Sequence, residues 1–222
     1  MKDMDEREKY LQNVCYEYYD NGDISGKGCM VSGEKEGRWE YSYKSDIDMN
    51  GKMEGNYVKG KKEGLWDFKA RNGCRKRLTE YTNDKKNGVE RVYRAIKGKA
   101  PLLKEIITYV DGKREGEYRK FCCSKANINN ADYCIENHDK DTTDIGNYTN
   151  GKKDGEWVHF ITGCVLTLLV SHIKIYKDDV EVEHIRESEF RVKGITPPPL
   201  PSKIINSSIN KYLEEEEKRK GK

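Results

Sequence analysis

The chain has 222 residues, 42 of them Lys or Arg and 39 Asp or Glu, so charged residues (36%) match hydrophobic ones (35%) and the net charge is +3. A typical globular domain is about 45–50% apolar and about 25% charged, which leaves this chain short of ordinary core material. Near-balanced charge argues against a dedicated nucleic-acid binder, and the longest apolar run, Ile161–Val170, falls short of the ~20 residues of a helical membrane span. Disorder is not implied either, because 15 Tyr, 3 Trp and 4 Phe supply large side chains to bury.

From the amino end, Met1–Leu11 is charged and lacks the apolar stretch of a secretory signal. Cys15 lacks the upstream hydrophobic segment of a lipoprotein cysteine. A cytoplasmic location is therefore expected, with the seven cysteines (Cys15, Cys29, Cys74, Cys122, Cys123, Cys134 and Cys164) mostly free thiols. Residues 1–15 read as a capping segment.

Residues 16–182 read as a repeat array. Gly33-Glu-Lys-Glu-Gly37-Arg-Trp39 returns as Gly60-Lys-Lys-Glu-Gly64-Leu-Trp66, Gly112-Lys-Arg-Glu-Gly116-Glu-Tyr118 and Gly151-Lys-Lys-Asp-Gly155-Glu-Trp157. A degenerate copy starts at Asp84 and carries Glu90 where the aromatic belongs, and a shorter echo runs from Gly51 to Tyr57. Each unit predicts a β-hairpin. Its first Gly takes a turn position with positive φ, often beside Asn or Asp. Its second Gly, inside a strand, is expected to leave bare backbone for a neighbouring ring. Aromatics follow the second Gly at plus two and plus four (Trp39 and Tyr41, Trp66 and Phe68) and so share a strand face. Where the second ring stands at plus five (Phe121, Phe160), a bulge is expected to bring it to that face. A second turn lies midway in the period, at Asn21-Gly22 and Asn72-Gly73. Stacked side by side, such hairpins bury an aromatic stripe and need few aliphatics.

The pattern Tyr-Tyr-x-Asn-Gly-x-Ile…Gly-x-x-x-Gly-x-Trp-x-Tyr between Tyr18 and Tyr41 resembles the MORN repeat. It is most similar to the bacterial variant found in proteins described as antitoxins of toxin–antitoxin pairs. The resemblance covers about residues 16–160. It implies scaffold, membrane-associated or antitoxin-like binding roles. The third unit departs from the pattern by losing its first Gly and its aromatic, and the fourth interval carries an insertion.

That insertion, about residues 122–144, is polar and holds Cys122, Cys123, Cys134 and His138. A plain surface loop is the favoured reading over an oxidisable thiol pair or a zinc site, since adjacent cysteines are awkward joint ligands and no CxxC occurs. Ile161–Tyr176 is the aliphatic segment, read as a last hairpin capping the sheet. Residues 178–193 read as a further strand or edge. Residues 183–201 form a charged edge and a linker ending in Pro197-Pro198-Pro199-Leu200-Pro201. Residues 202–222 read as an amphipathic helix with Ser202 as N-cap and Ile205, Ile209, Tyr212 and Leu213 on one face. That helix docks on the sheet or on a partner.

No P-loop, GxSxG or HExxH occurs, and His138, His159, His172 and His184 fall singly, so neither enzymatic activity, a cofactor nor a metal is expected. Lysines recur in the turns (Lys61-Lys62, Lys85-Lys86, Lys113-Arg114, Lys152-Lys153), and stacking predicts a cationic ladder diluted by Glu36, Glu63, Glu115 and Asp154.

The fold expected is all-β, an elongated single-layer array of stacked antiparallel hairpins with a short C-terminal α-helix. The function expected is a non-enzymatic protein-binding module, antitoxin- or immunity-like, neutralising a partner such as a cognate toxin. Its anchors would be exposed tyrosines (Tyr57, Tyr81, Tyr109, Tyr148) and the cations Lys61, Lys62, Lys113, Arg114, Lys152 and Lys153. The alternative is a structural scaffold whose cationic edge meets an anionic membrane surface.

Overall fold

The computed structural model describes residues 14–43, 51–94, 101–121, 142–162 and 168–190. They form one open, antiparallel, 13-stranded sheet in which sheet order follows chain order. The strands are β1 (Val14–Tyr18), β2 (Ile24–Val31), β3 (Glu34–Tyr43), β4 (Gly51–Val58), β5 (Lys61–Ala70), β6 (Arg75–Thr82) and β7 (Lys85–Arg94). Then come β8 (Leu102–Val110), β9 (Lys113–Phe121), β10 (Thr142–Thr149), β11 (Lys152–Thr162), β12 (Leu168–Lys177) and β13 (Val180–Arg186), before a one-turn helix α1 (Glu187–Phe190). The array of hairpins expected from the repeat is what the chain forms. It divides into two compact units, residues 1–116 and 117–222. The thiols at Cys122, Cys123, Cys134 and Cys164, His138, the proline string and the expected helix at 202–222 lie outside the described residues.

Tight two-residue turns close β2–β3, β4–β5, β6–β7, β8–β9, β10–β11 and β12–β13. In all of them both central residues have positive φ: Ser32-Gly33, Lys59-Gly60, Asn83-Asp84, Asp111-Gly112, Asn150-Gly151 and Asp178-Asp179. This is the primed geometry whose twist matches that of the flanking strands. The third unit keeps the turn despite losing its Gly, because Asn and Asp tolerate the left-handed region. The hairpin at Asp178-Asp179 extends the array beyond the last copy legible as a motif. The midway turns are alike: Asn21 Oδ1 accepts from Asp23 N at 3.2 Å and Asn72 Oδ1 from Cys74 N at 3.1 Å, with Gly22 and Gly73 at positive φ.

The first repeating glycine takes its expected turn position, but the second has a different job from the one expected. The second motif Gly (Gly37, Gly64, Gly116, Gly155) has positive φ, and no atom would crowd a Cβ at Gly64, Gly116 or Gly155. It opens a bulge in which Gly64-Leu65-Trp66 oppose the single residue Gly55, between the pairs Asn56↔Glu63 and Glu54↔Asp67. The ring instead lies on that opposing glycine. A Cβ at Gly55 would stand 2.2 Å from Trp66 Cδ2, and Gly28 and Gly146 cradle Trp39 and Trp157 in the same way. The indole N–H of each then reaches the carbonyl one residue further on: Trp39 to Cys29 at 3.0 Å, Trp66 to Asn56 at 3.2 Å and Trp157 to Asn147 at 3.2 Å.

The opposite face differs between the units. In residues 1–116 the cross-strand row Lys27–Glu40–Glu54–Asp67–Leu78–Arg91–Ile106 runs along it. Asp67 is fully buried there and held by Arg75 through two bonds (3.0 and 2.7 Å), while Glu54 pairs with Arg38 (2.7 Å) and Lys69 (2.8 Å). In residues 117–222 that face is aliphatic. Val158, Phe160, Ile173 and Ile185 form a buried cluster that α1 completes with Phe190. Strand alternation is kept on β11, so Phe160 lies with Val158 on the face opposite Trp157. The bulge expected to bring it round does not do so, because the extra residue falls on β12, between Val170 and His172.

Candidate functional site

The aromatic stripe of residues 1–116 is built from Trp39, Tyr57 and Trp66, flanked by Met30, Tyr41, Met53, Phe68 and Tyr81. Trp66 meets Tyr57 edge-on at 5.1 Å and Tyr41 in a stack at 6.3 Å. Residues 117–222 repeat the arrangement, with Tyr118 stacked on Trp157 (5.2 Å) and Tyr148 edge-on to it (5.2 Å). The tyrosines expected as exposed anchors are therefore part of the stripe. Tyr57, Tyr109 and Tyr148 are only 7%, 8% and 6% exposed, and Tyr81 is half-buried against Trp66. These rings are paired: Tyr57 and Tyr148 meet the Trp of their own hairpin edge-on, and Tyr57, Tyr81 and Tyr176 meet that of the hairpin before. Burial pushes the Tyr57 phenol well above its ordinary range.

The second cation of most turns is absorbed in the same way. Lys62 Nζ lies 4.5 Å from the Trp66 ring centre and 5.3 Å from that of Tyr81. Lys35 sits over Trp39 (4.6 Å), Tyr41 and Tyr57, Lys86 over Tyr109 (4.6 Å), and Lys153 over Trp157 (4.3 Å) and Tyr176 (4.8 Å). Cation–π contacts of this kind favour a half-buried ammonium on an aromatic face. Burial pushes Lys62 below its ordinary value, with Asp84 opposing. Lys61, Lys85, Lys113, Arg114 and Lys152 remain exposed. Lys85 has Asp111 at 3.8 Å and Lys152 has Asp178 at 3.4 Å. The ladder of the sequence reading thus keeps about half of its cations.

The acids of the motif stitch turns together. Glu36 accepts from Lys59 N at 2.8 Å and Glu63 from Asn83 N at 3.0 Å, each an amide of the next turn. Backbone bonds from Gly60 to Lys35, Asp84 to Lys62 and Gly112 to Lys86 reinforce the seam. The degenerate unit replaces the Trp–Gly contact by a polar one. Glu90 stands opposite Thr79, buried, and accepts from Thr79 Oγ1 (2.8 Å), Lys86 Nζ (2.6 Å) and Tyr109 OH (3.3 Å), with Arg77 Nε at 3.6 Å.

The two edge strands contrast. On β1, Val14, Tyr16 and Tyr18 are 41%, 50% and 61% exposed at alternate positions. Its one charge, Glu17, is paired with Lys35 at 2.6 Å. β13 also exposes Val180 and Val182, but Glu181, Glu183 and Arg186 interrupt them, and Glu181 pairs with Lys174 at 2.8 Å.

Sequence reasoning treated the histidines as scattered. The sheet brings three of them together: His159 on β11 stacks on His172 of β12 (ring centres 4.8 Å apart, planes 24° apart), and His184 of β13 lies 5.0 Å from His172 on the other side. Asp144 Oδ1 is 2.8 Å from His159 Nδ1, and Glu181 Oε1 is 3.6 Å from His184 Nδ1. The signal was cross-strand register, His159↔His172, which a linear motif search does not see. Stacked planes run their in-plane lone pairs side by side, and among the described residues no group of three His, Cys, Asp or Glu is placed to hold a metal ion. Likewise, among the described residues no helix is long and apolar enough to cross a membrane. No protein-family model matches the chain, and no curated protein matches it.

Proposed function

We propose that this chain is a MORN-type, non-enzymatic protein-binding module that neutralises a protein partner by surface contact, in the manner of an antitoxin or immunity protein. One observation carries the reading: β1 pairs only with β2 among the described strands and presents Val14, Tyr16 and Tyr18 without an unpaired charge. Natural sheets blunt their edges with charge, as β13 does, and an unblunted edge suits addition of an extended strand from a partner. The stripe tyrosines, being buried, serve the fold, and the contact surface moves to this edge. The direct test is growth rescue. Cells expressing the product of the adjacent gene should stop growing, recover when this chain is co-expressed, and fail to recover with the Tyr16→Glu/Tyr18→Glu variant. An adjacent product that is harmless, or that neither co-elutes with the chain nor is relieved by it, sinks the antitoxin reading.

The exposed cations Lys61, Lys85, Lys113 and Lys152 favour a second reading, a scaffold on an anionic membrane. Sedimentation with phosphatidylserine-containing vesicles supports it, and no sedimentation removes it.

A further inference from the structure

We propose that the His159–His172–His184 stack is an acid-sensitive latch that holds β12 and β13 onto β11 when its rings are neutral and loosens them when the central ring is protonated. The geometry carries this. His172 is sandwiched, with an imidazole about one ring's breadth away on each side. The outer rings each have a carboxylate to match a positive charge, Asp144 for His159 and Glu181 for His184. Among the described residues no carboxylate is paired with His172, and its hydrogen-bond neighbour is Ser171 Oγ at 3.4 Å.

The remaining charged groups around the row are mostly cationic or already engaged. Lys174 on β12 bonds Glu181, Lys120 on β9 lies 3.6 Å from Asp144, and Arg186 is the cross-strand partner of His172. A proton on His172 therefore meets two imidazoles and further cations, with Asp144 and Glu181 committed elsewhere. Burial, and then the charges of His159, His184 and Lys174, hold the His172 imidazole below its ordinary value, with the more distant Asp144 opposing. The sign follows. A folded-state value below the unfolded one means that the unfolded segment binds the proton more tightly, so the latch is closed above the ordinary histidine value and is lost as pH falls through the folded value. Two of the three strands reach the rest of the sheet only through β11, so a loss here is local.

The experiment is amide hydrogen exchange on the full chain at about pH 7.5 and about pH 5.5, corrected for intrinsic rates, a window that closes before ordinary carboxylates titrate. Protection of β12 and β13 should fall several-fold, up to the limit of about tenfold that an unfolded histidine value near 6.5 sets at about pH 5.5, while β4–β7 change little. In His172→Gln the pH dependence should vanish. Unchanged protection of β12 and β13 in the wild type, or the same loss in His172→Gln, overturns the latch. A second readout does not depend on that variant folding well. By NMR, the His172 ring of the wild type should titrate below the ordinary histidine value, and its midpoint should rise in His184→Gln, which removes a neighbouring charge. A wild-type His172 ring that titrates at or above the ordinary value also overturns it.

Discussion

Residues 14–116 and 117–190 carry the same aromatic stripe on one face and solve the other face in opposite ways. The first unit covers its second face with ion pairs around buried Asp67 and half-buried Glu54, whereas the second places Val158, Phe160, Ile173, Ile185 and Phe190 there. The repeat motif specifies the turn, the bulge and the Trp on its glycine, all belonging to one face. The alternate positions are free, so a chain with few aliphatics can concentrate them beside the last described hairpin. The difference predicts unequal tolerance of the same lesion. Trp66→Ala removes a fully buried ring from a unit whose second face mixes ion pairs with buried Leu78 and Ile106, and a cost of about 3–5 kcal/mol should abolish exchange protection across β3–β6. Trp157→Ala loses the same contacts, yet the aliphatic cluster should keep β11–β13 protected. Equal loss of protection in the two variants would mean that the aliphatic face contributes nothing independent.

The next effect in size tests the cradle. Gly55→Ala puts a methyl 2.2 Å from the Trp66 ring and should cost about 1–3 kcal/mol by overpacking, read as a drop in the denaturation midpoint. Gly73→Ala lies at positive φ with open space around it, so it is penalised by backbone strain alone and spares the stripe. If Gly55→Ala leaves the Trp66 fluorescence and the midpoint unchanged, the cradle is not what positions the ring.

Much of this was legible. The turns, the strand order implied by hairpin repetition and the plus-two aromatics all follow from local chemistry. The cradle glycines Gly28, Gly55 and Gly146 were legible too, each at the same separation from its Trp, but reading outward from the turn gave the role to the wrong glycine. What the sequence could not show is set by register between strands. The burial of Tyr57 and Tyr148 depends on the Trp of the strand paired across the turn, the histidine stack on the pairing of β11 with β12, and the place of Phe160 on which strand takes the extra residue. Glu90 looked like a defect in the repeat because its four polar neighbours come from the two flanking strands β6 and β8 and from a turn-proximal lysine of its own strand.

A smaller contrast concerns acid. Burial pushes the Glu54 carboxyl up, but hydrogen bonds from Lys69 and Arg38 and their charges outweigh it, leaving it below the usual range. A carboxylate depressed on folding adds stability that is present above its unfolded value and lost as pH falls through the folded one. Glu54→Gln should therefore flatten the stability profile of residues 14–116 below about pH 4.5 while leaving the aliphatic cluster's response unchanged. An unaltered acid profile in the variant would show that the pairs on that face are stability-neutral, as buried ion pairs often are.

The finest distinction lies between two acids at one motif position. Glu63 reaches the next turn and accepts from Asn83 N at 3.0 Å, whereas Asp154, one methylene shorter, turns back to Thr149 Oγ1 at 3.3 Å. Both units also make the seam from the other side, Asp84 accepting from Lys62 N at 2.8 Å in the first and Asp179 from Lys153 N at 2.7 Å in the second, where it stands without a Glu63 counterpart. Glu63→Ala and Asp179→Ala should each cost about 1 kcal/mol, the net worth of a hydrogen bond at an exposed site. Asp154→Ala should cost less, because it leaves every turn-to-turn bond in place. Exchange at the amides of Asn83 and Lys153 reads the seams directly: the first should quicken only in Glu63→Ala and the second only in Asp179→Ala. If Asp154→Ala quickens Lys153 as much as Asp179→Ala does, the acid of the repeat has one role in both units and the shorter side chain makes no difference.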